Sequence, residues 1–171
     1  MGTMSADLTG RERVAADAAA RGVDLEFVER GPASSLEEAA ANLGLEPREI
    51  VKTLVAKAKR TQTAADSEYV LALIPGDKAV DWAKLRKLAG YKKMSMASPD
   101  EGYAATGYRP GTINPFGATA VEGSTTPLPV YADESISGRI AMGAGEPHLS
   151  LLVDSPELFA AFQVITGDIG K

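Results

Sequence analysis

Lys52 sits inside an otherwise apolar, β-branched run, Ile50-Val51-Lys52-Thr53-Leu54-Val55-Ala56. Apolar residues on both faces of such a stretch predict a strand buried on both sides. A lysine there must be solvated, paired or set against a ligand, because an unpaired buried ammonium is costly. Two readings stay open on this segment: an edge-strand charge that blocks aggregation, and an amine that meets a ligand. The second feature is Thr106-Gly107-Tyr108-Arg109-Pro110-Gly111-Thr112-Ile113-Asn114-Pro115-Phe116-Gly117, with three glycines and two prolines in twelve residues. That composition makes a stiff loop whose backbone N–H groups can face a ligand. Preorganised amides stabilise a developing oxyanion, each worth about 3 kcal/mol in known cases. The plain alternative is a rigid connector. A third feature, Gly143-Ala144-Gly145, lacks the further glycine that opens a helix in a dinucleotide fingerprint, and no Gly-Lys-Ser/Thr ends a glycine loop. His148 is the only histidine and has no serine in a nucleophile-elbow context, so it reads as a core or surface residue rather than part of a triad.

Local signals place these residues on a framework. Leu8 to Arg21 has helical spacing and a stop at Gly22. Leu25 to Val28 reads as a short strand, and Ser35-Leu36-Glu37-Glu38 as a capping box opening a helix that Gly44 closes. After the lysine strand comes a polar hairpin tip, Lys59 to Ser67, then an apolar strand, Tyr69 to Ile74, ended by Pro75-Gly76-Asp77. Asp81 caps a helix from Trp82 to Ala89, and Lys92 to Ala97 alternates as a strand with Met94 and Met96 on one side. Ser98-Pro99-Asp100-Glu101 opens a helix that stops at Gly107, and residues 107–123 read as a punctuated loop containing short strands. Arg139 to Met142 and Leu149 to Val153 pair around the Gly143-Ala144-Gly145 turn, followed by a helix from Ser155 to Gln163 and a final strand, Val164 to Thr166. Strands adjoin hairpin turns without strict βαβ alternation, which predicts an α+β fold with a mixed, mostly antiparallel sheet. Residues 1–171 are expected to form one domain, with 1–6 unstructured or appended.

Composition narrows the chemistry. The chain has 171 residues, 44% hydrophobic and 24% charged, as in a soluble globular protein. Without cysteine there is no disulfide, thiolate nucleophile or sulfur-ligated metal, and one histidine excludes a multi-histidine metal site. No metal and no cofactor is indicated. No apolar stretch reaches membrane-spanning length and no signal-peptide pattern opens the chain, so a cytoplasmic location is expected. The net charge of −5 argues against a protein that coats nucleic acid non-specifically. Yet residues 51–96 hold ten basic and four acidic side chains, a local balance of +6. Within them Lys84, Arg86, Lys87, Lys92 and Lys93 follow Trp82 as a basic run. That asymmetry suits either one anionic end of a ligand or a solvated helix face.

Three segments, in order, carry a family resemblance: Val51-Lys52-Thr53-Leu54-Val55, Thr106 through Gly117, and Gly143-Ala144-Gly145 with Leu149-Ser150. The chain resembles the YbaK/prolyl-tRNA-synthetase editing-domain family of aminoacyl-tRNA deacylases over residues 10 to 166, and the helix Glu37 to Gly44 fits as well. The resemblance implies a barrel-like sheet flanked by helices. It also implies hydrolysis of the ester joining a wrong, small amino acid to the 3′-terminal adenosine of a tRNA, with tRNA(Pro) one candidate, and action in trans. By the same resemblance Lys52 is the functional lysine and Gly111 a catalytic amide. Thr112, Ile113, Asn114 and Pro115 complete the Gly-x-x-x-Pro substrate loop, while Gly143, Ala144, Gly145 and Ser150 line the same pocket. Ala144 stands where a glycine is frequent, which is expected to narrow that pocket. The implied partner is the aminoacylated acceptor end of tRNA, with weak contacts from the basic run. Association with a synthetase or elongation factor and the oligomeric state are left open. The rival reading is a non-catalytic sensor of aminoacyl-tRNA or amino acid that uses the same pocket.

Overall fold

In the computed structural model the described residues are 9–171 apart from 30, 32, 34, 64–65 and 122–127; the expectation for residues 1–6 and the position of Leu8 lie outside them. The element order is α1 (Gly10–Arg21), β1 (Leu25–Glu29), α2 (Leu36–Leu43), a 3-10 turn (Pro47–Glu49), β2 (Val51–Lys59), β3 (Glu68–Pro75), α3 (Trp82–Ala89), β4 (Lys93–Met96), α4 (Pro99–Thr106), β5 (Val130–Asp133), β6 (Arg139–Gly143), β7 (Leu149–Asp154), α5 (Ser155–Phe162) and β8 (Ile165–Gly167). The helix starts follow the capping chemistry. Thr9, Ser35, Asp81 and Ser98 each accept from a backbone N–H three residues on, and Ser98 with Glu101 closes a reciprocal box.

The strands form two sheets. One is antiparallel, in the order β1-β7-β6, and the other is mixed, in the order β4-β2-β3-β5-β8, with β5 parallel to both neighbours. A parallel bridge from Ile50 to Ala141 joins the sheets at the start of β2. The fold is therefore α+β and mostly antiparallel, as expected, but the described strands do not close into a barrel. Residues 107–121 contain no strand, contrary to the expectation, and β5 came with no sequence signal strong enough to be read. Its four residues are all buried, so the alternation that marks a half-exposed strand is absent.

Two apolar layers hold the arrangement. One, between the sheets and under α1 and α5, is built on Val14, Leu71, Tyr108, Phe116, Ile140, Leu151 and Leu158. The other, under α3, contains Ile74, Leu85, Tyr91 and Ile169. Each such fully buried large side chain contributes about 1.5–3 kcal/mol. β2 takes part in both layers, because its alternate residues point to opposite faces. No helix among the described residues is long and apolar enough to cross a membrane.

One ion pair ties α4 to β2: Lys57 Nζ lies 2.6 Å from Glu101 Oε2. The Lys57 ammonium, helped by the Ser98 N–H, holds the Glu101 carboxyl down at about 2, against an ordinary 4.5. A depressed folded-state value means the contribution is complete above about pH 4.5 and is lost as pH falls toward 2. Glu101→Gln is accordingly expected to lower the thermal midpoint near neutral pH, and the difference from the parent should vanish near pH 2. Calorimetry across that range checks it; a difference that persists undiminished in acid would contradict the pair's role.

Candidate active site

The seam where the two sheets meet opens as a cleft of about 260 Å³. Its walls come from distant parts of the chain: Lys52 and Thr53 of β2, Gly111 and Ile113 of the loop after α4, and Gly143 and Ser150 of the β6–β7 hairpin. Ala39 and Leu43 of α2 close one side. Lys52 is exposed rather than enclosed, because β2 faces solvent on that side at its N-terminal end. Its Nζ donates to the Lys78 carbonyl at 3.1 Å, which steadies the ammonium at the rim. β4 pairs with β2 only from Ala56 to Lys59, so at Lys52 the strand is laddered on one side, to Ile74 of β3.

Gly111 owes its place to a tight turn. Thr112 N donates to Arg109 O at 3.0 Å, with Pro110 second and Gly111 third at φ +84°. This is the signature of a type II turn, whose third position needs positive φ. Among the described residues the Gly111 N–H has no internal acceptor, and the residue borders both the cleft and the cavity beside Arg109 and His148. The hairpin tip is pinned to the same loop: Gly145 N donates to Thr112 O at 2.9 Å. A Cβ on Gly143 would fall 2.5 Å from Gly111 O and 3.0 Å from Thr112 Cα, so only glycine permits this approach of the two backbones.

Other expected site residues stand behind the wall rather than on it. Asn114 is fully buried; its Nδ2 donates to Thr112 O and its Oδ1 accepts from Phe116 N, so it staples the loop. Thr112 Oγ1 is spent on Arg109 O. Pro115 borders a different cavity, beside α1 and α5, and Gly145 borders one with Tyr108, Arg109 and His148. Ala144 is fully buried in the core between the sheets, so it does not narrow the cleft as expected from its sequence position. His148 is exposed at the hairpin tip with φ 61°, outside the cleft. The basic run also divides. Arg86, Lys92 and Lys93 share one groove, whereas Lys84 is engaged by Asp168 at 2.9 Å and Lys87 borders neither the cleft nor that groove.

Two residues were not singled out by sequence reasoning. Arg13 on α1 grips both ends of the loop, donating to Thr106 O, Gly107 O and Gly117 O at 3.2, 3.1 and 2.7 Å. Nothing in the sequence marks it among the basic residues. Tyr108 supports the same loop by donating to Phe116 O, and burial pushes its hydroxyl up to about 12, so it serves only as a neutral donor. The other missed residue is Thr53. The residue borders the cleft, and its buried hydroxyl is the one buried side-chain polar atom without a partner among the described residues. An unmet buried hydroxyl costs about 1–3 kcal/mol. A polar residue inside an apolar run was the available signal.

Residues 30–161 match the model of the aminoacyl-tRNA editing domain. The chain belongs to the aminoacyl-tRNA editing domain family. The domain is 30% identical over 121 residues to a proline--tRNA ligase of Bacillus velezensis, covering 71% of this chain and 19% of the ligase. It thus spans about a fifth of the length of that ligase. An Enterococcus faecalis protein provisionally named Cys-tRNA(Pro)/Cys-tRNA(Cys) deacylase EbsC is 39% identical over 83 residues, 48% of this chain and 47% of its own. A crystal structure provisionally described as a trans-editing enzyme for prolyl tRNA synthetase superposes with a TM-score of 0.79 at 29% identity, covering 95% of this chain and 97% of that one. Membership is thus carried by fold and sequence together.

Proposed function

We propose that this editing domain hydrolyses the ester between a small amino acid and the 3′-terminal adenosine of a mischarged tRNA, acting in trans. The observation that carries the reading is that Lys52, Thr53 and Gly111, whose N–H has no internal acceptor among the described residues, line one cleft of about 260 Å³. An aminoacyl ester is already activated, so a positioned water and an oxyanion donor suffice without a covalent nucleophile. Lys52 stands away from the substrate's α-ammonium, since like charges repel, and meets the terminal phosphate or the ester carbonyl. The Gly111 N–H aligns the water or the carbonyl oxygen, and the neighbouring ribose hydroxyl assists the proton transfer. Leu43, Ile113 and Met142 line the cleft and leave room for a short side chain such as alanine, cysteine, serine or threonine. Such a pocket rejects larger groups by clash but separates near-isosteres by only about 1–3 kcal/mol. The trans mode is supported by the likeness to a solved structure provisionally described as a trans-editing enzyme for prolyl tRNA synthetase.

The test is a deacylation panel of tRNA(Pro), tRNA(Ala) and tRNA(Thr), each carrying alanine, cysteine, serine or threonine. Turnover of at least one small aminoacyl ester is expected; binding across the panel without turnover would instead make the domain a sensor. Thr53 gives an internal check. Thr53→Val removes the unmet hydroxyl while retaining the branched shape. The thermal midpoint is expected to hold or rise, by up to about 1 kcal/mol of stability. At the same time kcat/KM is expected to fall about tenfold, the loss of one substrate hydrogen bond. Unchanged turnover would return Thr53 to the framework.

A further inference from the structure

At the far end of β2 from the cleft, Lys57 and Lys59 of β2, Arg86 of α3, Lys92, and Lys93 of β4 line an open groove of about 490 Å³. The chain carries more acidic than basic residues, 23 against 18. Among the described residues nine ion pairs are formed, yet of the groove's cations only Lys57 has a carboxylate, Glu101. Lys59 and Lys93 are direct cross-strand partners in the β2–β4 ladder. Like charges opposite one another destabilise a ladder, and one lysine would suffice to protect the edge strand β4 from aggregation. A cluster that is unfavourable in the free protein and left uncompensated in an acidic chain is matched to a polyanion.

The groove also has a geometric relation to the cleft. By strand alternation Thr53, Val55, Lys57 and Lys59 project from the same face of β2. Thr53 borders the cleft and Lys59 the groove, six residues on. At ~3.3 Å per residue that separation is roughly 20 Å, a span that a few nucleotides of single strand cross. We infer that this groove binds the phosphodiester backbone of an RNA whose 3′ end lies in the cleft. The chemistry required of the partner is a regular row of phosphates, and lysine and arginine tips on an open surface meet it without reading sequence. That the RNA is a tRNA rests on the deacylase reading above; the groove itself does not.

The experiment compares the parent with a Lys59→Gln, Arg86→Gln, Lys92→Gln, Lys93→Gln variant, using Lys87→Gln as a control outside the groove. Binding of uncharged tRNA is followed by fluorescence anisotropy across a salt series, and turnover is followed on a minimal aminoacyl-adenosine. The fourfold variant is expected to bind tRNA about tenfold or more weakly. Its slope of log affinity against log salt should be shallower by ~0.9 for each duplex phosphate that is no longer neutralised. Its turnover of aminoacyl-adenosine and its circular dichroism spectrum should match the parent, and Lys87→Gln should match the parent throughout. Equal affinity and slope for parent and variant would overturn the groove, as would a parent that binds a polyglutamate peptide but no RNA. Groove-dependent RNA binding without hydrolysis of any aminoacyl ester would leave the groove standing and remove the deacylase reading. Hydrolysis of aminoacyl-adenosine without RNA binding would do the reverse.

Discussion

Replacing Lys52 with alanine is expected to lower kcat/KM for aminoacyl-tRNA deacylation by about a hundredfold or more, the effect of removing a preorganised charge at a developing oxyanion or its phosphate. The same substitution should leave the fold almost untouched. The side chain is exposed, and its one internal hydrogen bond goes to the Lys78 carbonyl at the surface. A solvent-accessible interaction of that kind is worth about 1 kcal/mol or less. Activity and stability therefore separate. Lys52→Arg sharpens the comparison, because it restores charge but not the compact ammonium, and partial rescue of kcat is expected. Single-turnover deacylation, with thermal unfolding measured beside it, decides the matter: an alanine variant of parental activity would remove the amine from the mechanism.

The second large effect is expected at Gly143. In Gly143→Ala the new methyl meets Gly111 O and Thr112 Cα, which are backbone atoms and cannot rotate away. The loop or the hairpin must shift, at about 1–3 kcal/mol. For a chain of this size each kcal/mol lowers the thermal midpoint by about 2–4 °C. Because the displaced atoms belong to the Gly111 turn, deacylation should fall about tenfold as well. Gly111→Ala is the contrast. No heavy atom lies within 4 Å of its would-be Cβ, so only the left-handed conformation at φ +84° is penalised, by about 1–2 kcal/mol. If Gly143→Ala keeps both parental stability and parental turnover, the close approach of the two backbones does not organise the site.

Much of this protein was legible from its sequence, because capping boxes, glycine stops and apolar runs are local signals. Ser98 with Glu101, Asp81, and the Ser35 start each opened the helix that their chemistry predicts, and the β6–β7 hairpin formed around Gly143 to Gly145. Local signals also named the first residues of the candidate site. A lysine in an apolar strand and a Gly–Pro loop are unusual enough to stand out singly. What they cannot carry is distance between remote segments. The Ile50–Ala141 bridge brings β2 to β6, and with it Lys52 to Gly143, across some ninety residues of chain.

Only the tertiary structure decided which expected residues face the cleft. Asn114 and Thr112 have the right chemistry for a ligand, but their hydrogen-bonding capacity is consumed inside the loop. Thr53 has the same kind of group and no internal partner, a difference of packing that composition does not encode. The basic run was likewise visible as a run, yet helix and strand geometry split it, sending Lys84 to Asp168 and gathering Arg86, Lys92 and Lys93 with Lys59. Sequence by itself determined the elements and the kinds of side chain on offer, since those follow from backbone sterics and nearest-neighbour hydrogen bonds. Which of those side chains share a cavity is set by long-range burial, whose free energy exists only once the sheets have met.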